Sequence, residues 1–462
     1  MENSQHVDLL IGIEDRLKWW QNITYAVQQL TVDTTVLIVP ILLARAMKFP
    51  PQTGAFVVQA SLIGAGLVTI GQSLWVLRLP VLQGPAIVFI SVVPAVAAVT
   101  GPAAAWTGLV LASLVAAVLS AVGFWGKARP VFGAAPVYGV VLLMASIAIA
   151  GAIFTQIVGI PKTPAFGQPF NFVMASIPFL VAVVLVLLMP SSFLRLISLL
   201  LGAIIAVAVA LIAGKMSVAN VAKAPWVGLS VFFPFGFKFD LGATLVMLLA
   251  FIADLGQVVG SYVLVGEVIG KQELSSRRIN AGVLTESLGS AVSGAFGGLP
   301  TVTYNQNIGA LMVTGIGSRF VFATAGAILV ILGLCPKVGA VVASIPGPVV
   351  GGLLLVTVAM LCMQAIRVLG TMPQTNANMF AAGTGVVVGV GVTVLPHDFV
   401  MTLPAVLRPF ISTGIVMGFL TAAVMHIVFN LILKTGQIEE KSRKPPKQEP
   451  RPGVSVSAAP PR

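Results

Sequence analysis

Apolar residues in this chain fall into long runs, separated by short polar or Gly/Pro-rich breaks. A bilayer core takes about 20 apolar residues per helix, and on that measure the runs divide into two halves. The first half gives spans at 23–46, 54–75, a shorter 82–99, 101–124, 130–154, 172–190 and 194–214. The second gives 241–266, 281–297, a shorter 300–316, 319–344, 347–368, 376–396 and 409–433. The expected fold is therefore all-α and polytopic, with about 14 spans. An even count puts both termini on one side, and seven spans per half make the second half start from the opposite side, so the halves are expected to be inverted repeats.

The third span of each half breaks the pattern. Thr301, Val302, Thr303 and Tyr304 are β-branched or aromatic and favour extended backbone, and the small apolar residues after Asn307 favour helix. Gln83, Gly84, Pro85, Ala86 and Ile87 likewise precede a plain apolar run. Short, Gly/Pro-interrupted segments at matching places in two halves point to a transporter's midplane site. A helix that begins inside the membrane also leaves its first N–H groups free for a polar ligand.

Composition agrees: 57% of the 462 residues are hydrophobic and 9% charged. The net charge of +12 is read as positive-inside loops rather than affinity for nucleic acid. With both termini inside, Lys and Arg number 18 inside against 8 outside, which predicts a multi-pass cell-membrane protein with cytoplasmic ends. Residues 1–22 are polar and mixed in charge, with no signal peptide ahead of the first run. They are expected to form a cytoplasmic segment, followed by a first repeat at 23–214, a connection at 215–240 and a second repeat at 241–433. A basic, Pro-rich tail at 434–462 is expected to be disordered. Cys335 and Cys362 have no metal-ligand spacing and suggest no disulfide framework, and no metal or cofactor is expected.

Polar groups at membrane depth are costly and face cavities or partners. Three amides, Asn305, Gln306 and Asn307, stand in a row in the tenth span. Asp254, Gln257 and Ser261 fall at helical spacing on one face of the eighth. Asp33 lies near the middle of the first, and Glu286 lies in the ninth. For Asp254 a role in function is set against a tie to a neighbouring helix, for Asp33 against bonds to nearby threonines, and for Glu286 against a link to the Arg277/Arg278 loop. An aspartyl protease dyad of Asp33 and Asp254 is disfavoured by the residues before Asp254, Phe251, Ile252 and Ala253, which lack the Gly-x-Gly such enzymes carry.

Gln306-Asn307-Ile308-Gly309, followed by Thr314 and Gly315, closely resembles the signature of the nucleobase–ascorbate transporter family, of xanthine/uracil permease type. That signature is Gln/Glu/Pro, Asn, any residue, Gly, four of any kind, Thr, then Arg/Lys/Gly, and every fixed position matches, with Asn307, Gly309 and Thr314 as its structural members. The resemblance covers residues 20–434 and implies a core domain and a gate domain. It implies a base held by the side chains of Gln306 and Gln257 and by backbone at Ile87, Ala86 and Asn305, with Tyr304 stacking. The chain departs from the family at five places: Gln257 where Glu is usual, Ser261 where Asp or His is common, Ile87 where Phe is common, Glu286 where Asp is usual, and Gln28-Gln29 where a Gln-His pair is common. Because a Gln cannot exchange a proton, Asp254 is expected to carry it, with Asp33 and Glu286 next in line.

The implied function is secondary active import of a nucleobase, a purine such as xanthine or urate, by proton symport, with sodium the other candidate ion. Gln306 and Gly315 look like the purine members, whereas Glu and Arg at these places look like uracil carriers. The partners implied are the base, the coupling ion, the bilayer and a second copy in a homodimer, without nucleic acid or enzymatic activity. The alternative is an uncoupled facilitator or a uracil-type permease on the same scaffold.

Overall fold

Inside a bilayer no water satisfies backbone amides, so each apolar run closes its own hydrogen bonds as a helix. The structure, a computed structural model, describes residues 9–434 except 33–34, 160, 162–165, 189–197, 217–218, 230 and 271–273. In the first half, α1 (Trp19–Val32) and α2 (Thr35–Ala46) share the first expected span, and α3 (Pro51–Gly71) runs on into a wider turn over Gln72–Val76. Then come β1 (Gln83–Pro85), α4 (Phe89–Thr100), α5 (Pro102–Ala121), α6 (Phe124–Phe132), α7 (Ala135–Val158), α8 (Pro169–Leu188) and α9 (Ser198–Ile212). The short α10 (Ala219–Lys223) lies in the connection. The second half gives α11 (Leu241–Val268), α12 (Ser276–Ala295), β2 (Thr301–Thr303), α13 (Asn305–Thr314), α14 (Arg319–Gly333), α15 (Pro336–Ser344), α16 (Gly347–Thr371) and α17 (Asn376–Thr393). It closes with α18 (His397–Thr402), α19 (Arg408–Ile411) and α20 (Gly414–His426).

Both short spans have the expected form, a strand of three residues leading into a short helix. The expected span 319–344 is not one helix: α14 and α15 meet at 82°. Pro336 has no N–H to continue a helix, and Cys335 before it takes extended backbone at φ −105° and ψ 97°. The count of fourteen crossings does not follow from helix length. Among the described residues six helices are long and apolar enough to cross, or up to eight when each bent pair is taken as one, with three shorter apolar helices besides.

Packing divides the helices into two bodies. One gathers α3, α5, α11, α12 and α14 around the strands, and the other gathers α7, α8, α9, α16, α17 and α20. Small residues let backbones approach within each body. A Cβ on Gly66 of α3 would lie 2.5 Å from Gly326 O of α14, and Gly389 and Gly414 meet in the same way between α17 and α20. Large apolar side chains such as Ile331, Val387 and Leu188 point outward, as a surface facing lipid requires.

Basic residues collect at two ends. At one, Arg319 pairs with Glu14, Arg16 sits over Phe320 and Arg278 donates to Leu77 O. At the other, Arg45 donates to Ala343 O, Lys337 to Val221 O and Lys238 to Thr100 O. Residues 9–17 do not behave as a free polar segment, since Leu9, Ile11, Ile13 and Leu17 pack against the core. The expected disordered tail lies outside the described residues from 435 onward.

Candidate functional site

β1 and β2 pair antiparallel, with Gln83 opposite Thr303, Gly84 opposite Val302 and Pro85 opposite Thr301. The ladder continues at each edge, where Ala86 N–H donates to Pro300 O at 2.8 Å and Tyr304 N–H to Leu82 O at 3.0 Å. Antiparallel pairing sends α4 and α13 away from the crossing in opposite directions, so the two N-termini face each other across it. First-turn N–H groups have no partner within their own helix.

Tyr304 closes the crossing. Its hydroxyl donates to Pro85 O at 2.8 Å, and its ring lies so close over Gly84 that a Cβ there would be 2.2 Å from ring carbons. The ring is buried against backbone at that face. Ala86 is likewise turned inward: it is fully buried, its N–H is taken by Pro300 O and its carbonyl by Phe89 N–H. Ile87, one residue on, is half-buried, and its N–H has no partner among the described residues.

The polar groups left facing space come from α11 and α13. Ser261 Oγ donates to Asn305 Oδ1 at 2.6 Å, joining the two helices. Gln257, about one turn before Ser261, and Gln306, next to Asn305, are both half-buried, and neither side chain is hydrogen-bonded among the described residues. Gly309 continues the face of Asn305 and Gln306, with open space where a side chain would be. Asn307 points the other way: its Nδ2 donates to Gln29 O at 2.8 Å and Gln29 Oε1 at 3.1 Å, tying α13 to α1. Thr314 sits at the far end of α13, bonded to Ala310 O, and Gly315 ends the helix at φ +66°.

Asp254, near the middle of α11, is 2% exposed. No cation pairs with it among the described residues, and its Oδ2 accepts no hydrogen bond there. Through Oδ2, then, Asp254 makes no tie to a neighbouring helix among the described residues. Asp33 lies outside the described residues.

Glu286 is fully buried behind the strands rather than linked to the Arg277/Arg278 loop. Tyr262 donates to its Oε2 at 2.6 Å, and Gln72 Nε2 donates to the Tyr262 hydroxyl at 2.6 Å. Gln72 Oε1 accepts from Gln83 Nε2 at 2.6 Å, which also donates to Thr303 Oγ1 at 2.7 Å. This chain joins the wide turn after α3, α11, α12 and both strands. Sequence reasoning missed Gln72, Gln83 and Tyr262, although a Gln in an apolar run was the available signal.

A cavity of about 400 Å³ adjoins the site on the next face of α11, between Gly256 and Gly260 on one side and Trp125, Phe132 and Tyr138 on the other.

Residues 20–398 match the xanthine/uracil permease model, described as Permease family. The chain is 31% identical over 402 residues to the nucleobase transporter PlUacP of Paenibacillus larvae, covering 86% of this chain and 91% of that one. It is 28% identical over 405 residues to the uric acid transporter UacT of Escherichia coli, covering 85% and 82%. In fold it resembles the murine anion transporter Slc26a9 in its inward-facing state, with a TM-score of 0.64, 10% identity and coverage of 91% and 70%.

Proposed function

We propose, for a chain that belongs to the xanthine/uracil permease family, that it imports a purine base, with xanthine and urate as first candidates, and that a proton drives the import. The observation that carries this reading is the pair of unbonded amides, Gln257 and Gln306, flanking the Ser261–Asn305 contact. A carboxamide offers donor and acceptor together, which suits the neutral donor–acceptor edge of a base. The half-membrane helices add free N–H groups on either side, including that of Ile87. Tyr304 and Ala86 serve by holding the crossing, and Asn307, Gly309 and Thr314 by placing α13.

Asp254 carries the proton. An ionised carboxylate enclosed without a cation is costly, and a proton removes that cost. Gln257, on the same face of α11, binds but cannot exchange a proton. The two halves act as inverted repeats with both termini cytoplasmic, and the two bodies move against each other to expose the crossing to either side in turn.

Uptake of radiolabelled xanthine, urate and uracil into proteoliposomes, with and without a proton gradient, tests this. One proton moving down 100 mV supplies about 2.3 kcal/mol, roughly fiftyfold accumulation. Wild type should accumulate a purine, whereas Asp254→Asn should keep exchange and lose accumulation. Uptake that only equilibrates in wild type would make the protein a facilitator, the outcome that Gln257 in place of a Glu favours. An Asp254→Asn variant that still accumulates base, and loses it on adding a protonophore, would move the proton to Glu286 or Asp33.

A further inference from the structure

Residues 9–17 form a strap that reaches α13 from its far end. Leu9 and Ile11 face the core while Leu10 is 83% exposed, the two-residue period of extended chain, and a turn closed by Asp15 N–H donating to Gly12 O brings Ile13 against the core after them. Ile11 N–H donates to Gly315 O at 3.1 Å, Gly317 N–H to Ile11 O at 2.9 Å and Arg319 N–H to Ile13 O at 3.1 Å. Ser318 Oγ donates to Asp15 O at 2.8 Å. The strap passes so close that a Cβ on Gly315 would lie 2.9 Å from Leu10 N.

Arg319 fastens this arrangement. Its side chain is only 7% exposed, and Nε and Nη2 both donate to Glu14 Oε2, at 2.9 and 2.8 Å. Nη1 donates to Leu74 O at 3.0 Å, in the wide turn that ends α3. One guanidinium therefore joins the strap, the loop after α13 and α3. At ten residues α13 is too short to be stable alone, so its placement depends on anchors. Tyr304 anchors its start, Gln29 its first turn through Asn307, and the strap its end.

We propose that Glu14 and Arg319 are positioning residues for the binding site: the strap they lock holds α13 where Asn305 and Gln306 meet the base. The inference rests on reading α13 as the base-binding helix. A strap that only stabilised the fold would change the amount of folded protein and leave substrate affinity alone.

The test uses the full-length chain in liposomes. Glu14→Gln should raise KM about 3–10-fold while Vmax per folded protein stays within about twofold, and Glu14→Asp should restore most of the affinity. A cysteine replacing Val313, which is 54% exposed on α13, with Cys335 and Cys362 changed to Ser, reports helix position without substrate. Its reaction with a maleimide should change rate in Glu14→Gln. An unchanged KM overturns the proposal, as does an unchanged labelling rate. If wild type takes up no base, the functional reading fails on its own, and labelling still shows whether the strap sets α13. Should Glu14→Gln yield no folded protein, Ser318→Ala, which removes one bond to the strap, should raise KM about twofold; an unchanged KM there overturns the proposal equally.

Discussion

The two half-membrane units are alike in plan and opposite in character. β1 and α4 present Ala86 with both backbone groups used, then Phe89, Val92, Val93 and Val96, all buried. β2 and α13 present Asn305 and Gln306, then Gly309, Met312 and Val313 on a face that meets open space or solvent. On the proposed reading one unit is scaffold, contributing little beyond the Ile87 N–H, and the other carries the side chains that would read a ligand. The two units share a geometry and differ in their side chains.

The comparison breaks most severely at the contact between the units. Gly84→Ala puts a methyl group 2.2 Å from the Tyr304 ring, with backbone on one side and a buried ring on the other. Overpacking of this kind costs about 1–3 kcal/mol or more, and here it falls on the strand pairing itself. Transport should be lost together with thermal stability of the purified protein. A Gly84→Ala variant with the wild-type melting temperature and uptake would show that the clasp does not govern the crossing.

Gln306→Glu probes the reading side alone. It removes the amide donors and adds charge, so purine affinity should fall by about 1–3 kcal/mol, the cost of leaving a buried polar group unpaired. Competition by unlabelled bases measures this, and identical inhibition constants for every base would take Gln306 out of the site. The smallest effect is expected from Ser261→Ala. It deletes the 2.6 Å bond to Asn305 and should cost about 0.5–1.5 kcal/mol of affinity, with stability nearly unchanged. A large stability loss with unaltered affinity would make that bond structural.

Much of this division was legible from the sequence. Thr301, Val302 and Thr303 are β-branched, and Gly84 and Pro85 interrupt an apolar run, so the strands announced themselves locally. The amides of α13 stood out because nothing near them is polar. The break at Pro336 was written in the chain, yet the apolar run on either side of it read as one span. Less accessible was the chain from Gln83 through Gln72 and Tyr262 to Glu286, whose members come from two helices, the wide turn after α3 and a strand. Each alone resembles an amide or hydroxyl that joins two helices, and only the fold brings them together. The strap was hidden for a different reason: Glu14, Asp15 and Arg16 made it read as solvated, while its apolar residues alternate over too few positions to stand out.

The clasp of Tyr304 over Gly84 also bears on how such a protein diversifies. Its two residues belong to different halves of the chain and are matched in size, because the ring fills the space that the glycine leaves. Chimeras that join the first half of one homologue to the second half of another should function only when both parents share this pair, whatever their identity elsewhere. Recombination across the midpoint would then be restricted by a single contact, while, with α13 as the proposed base-binding helix, point changes along its open face would be free to alter the cargo.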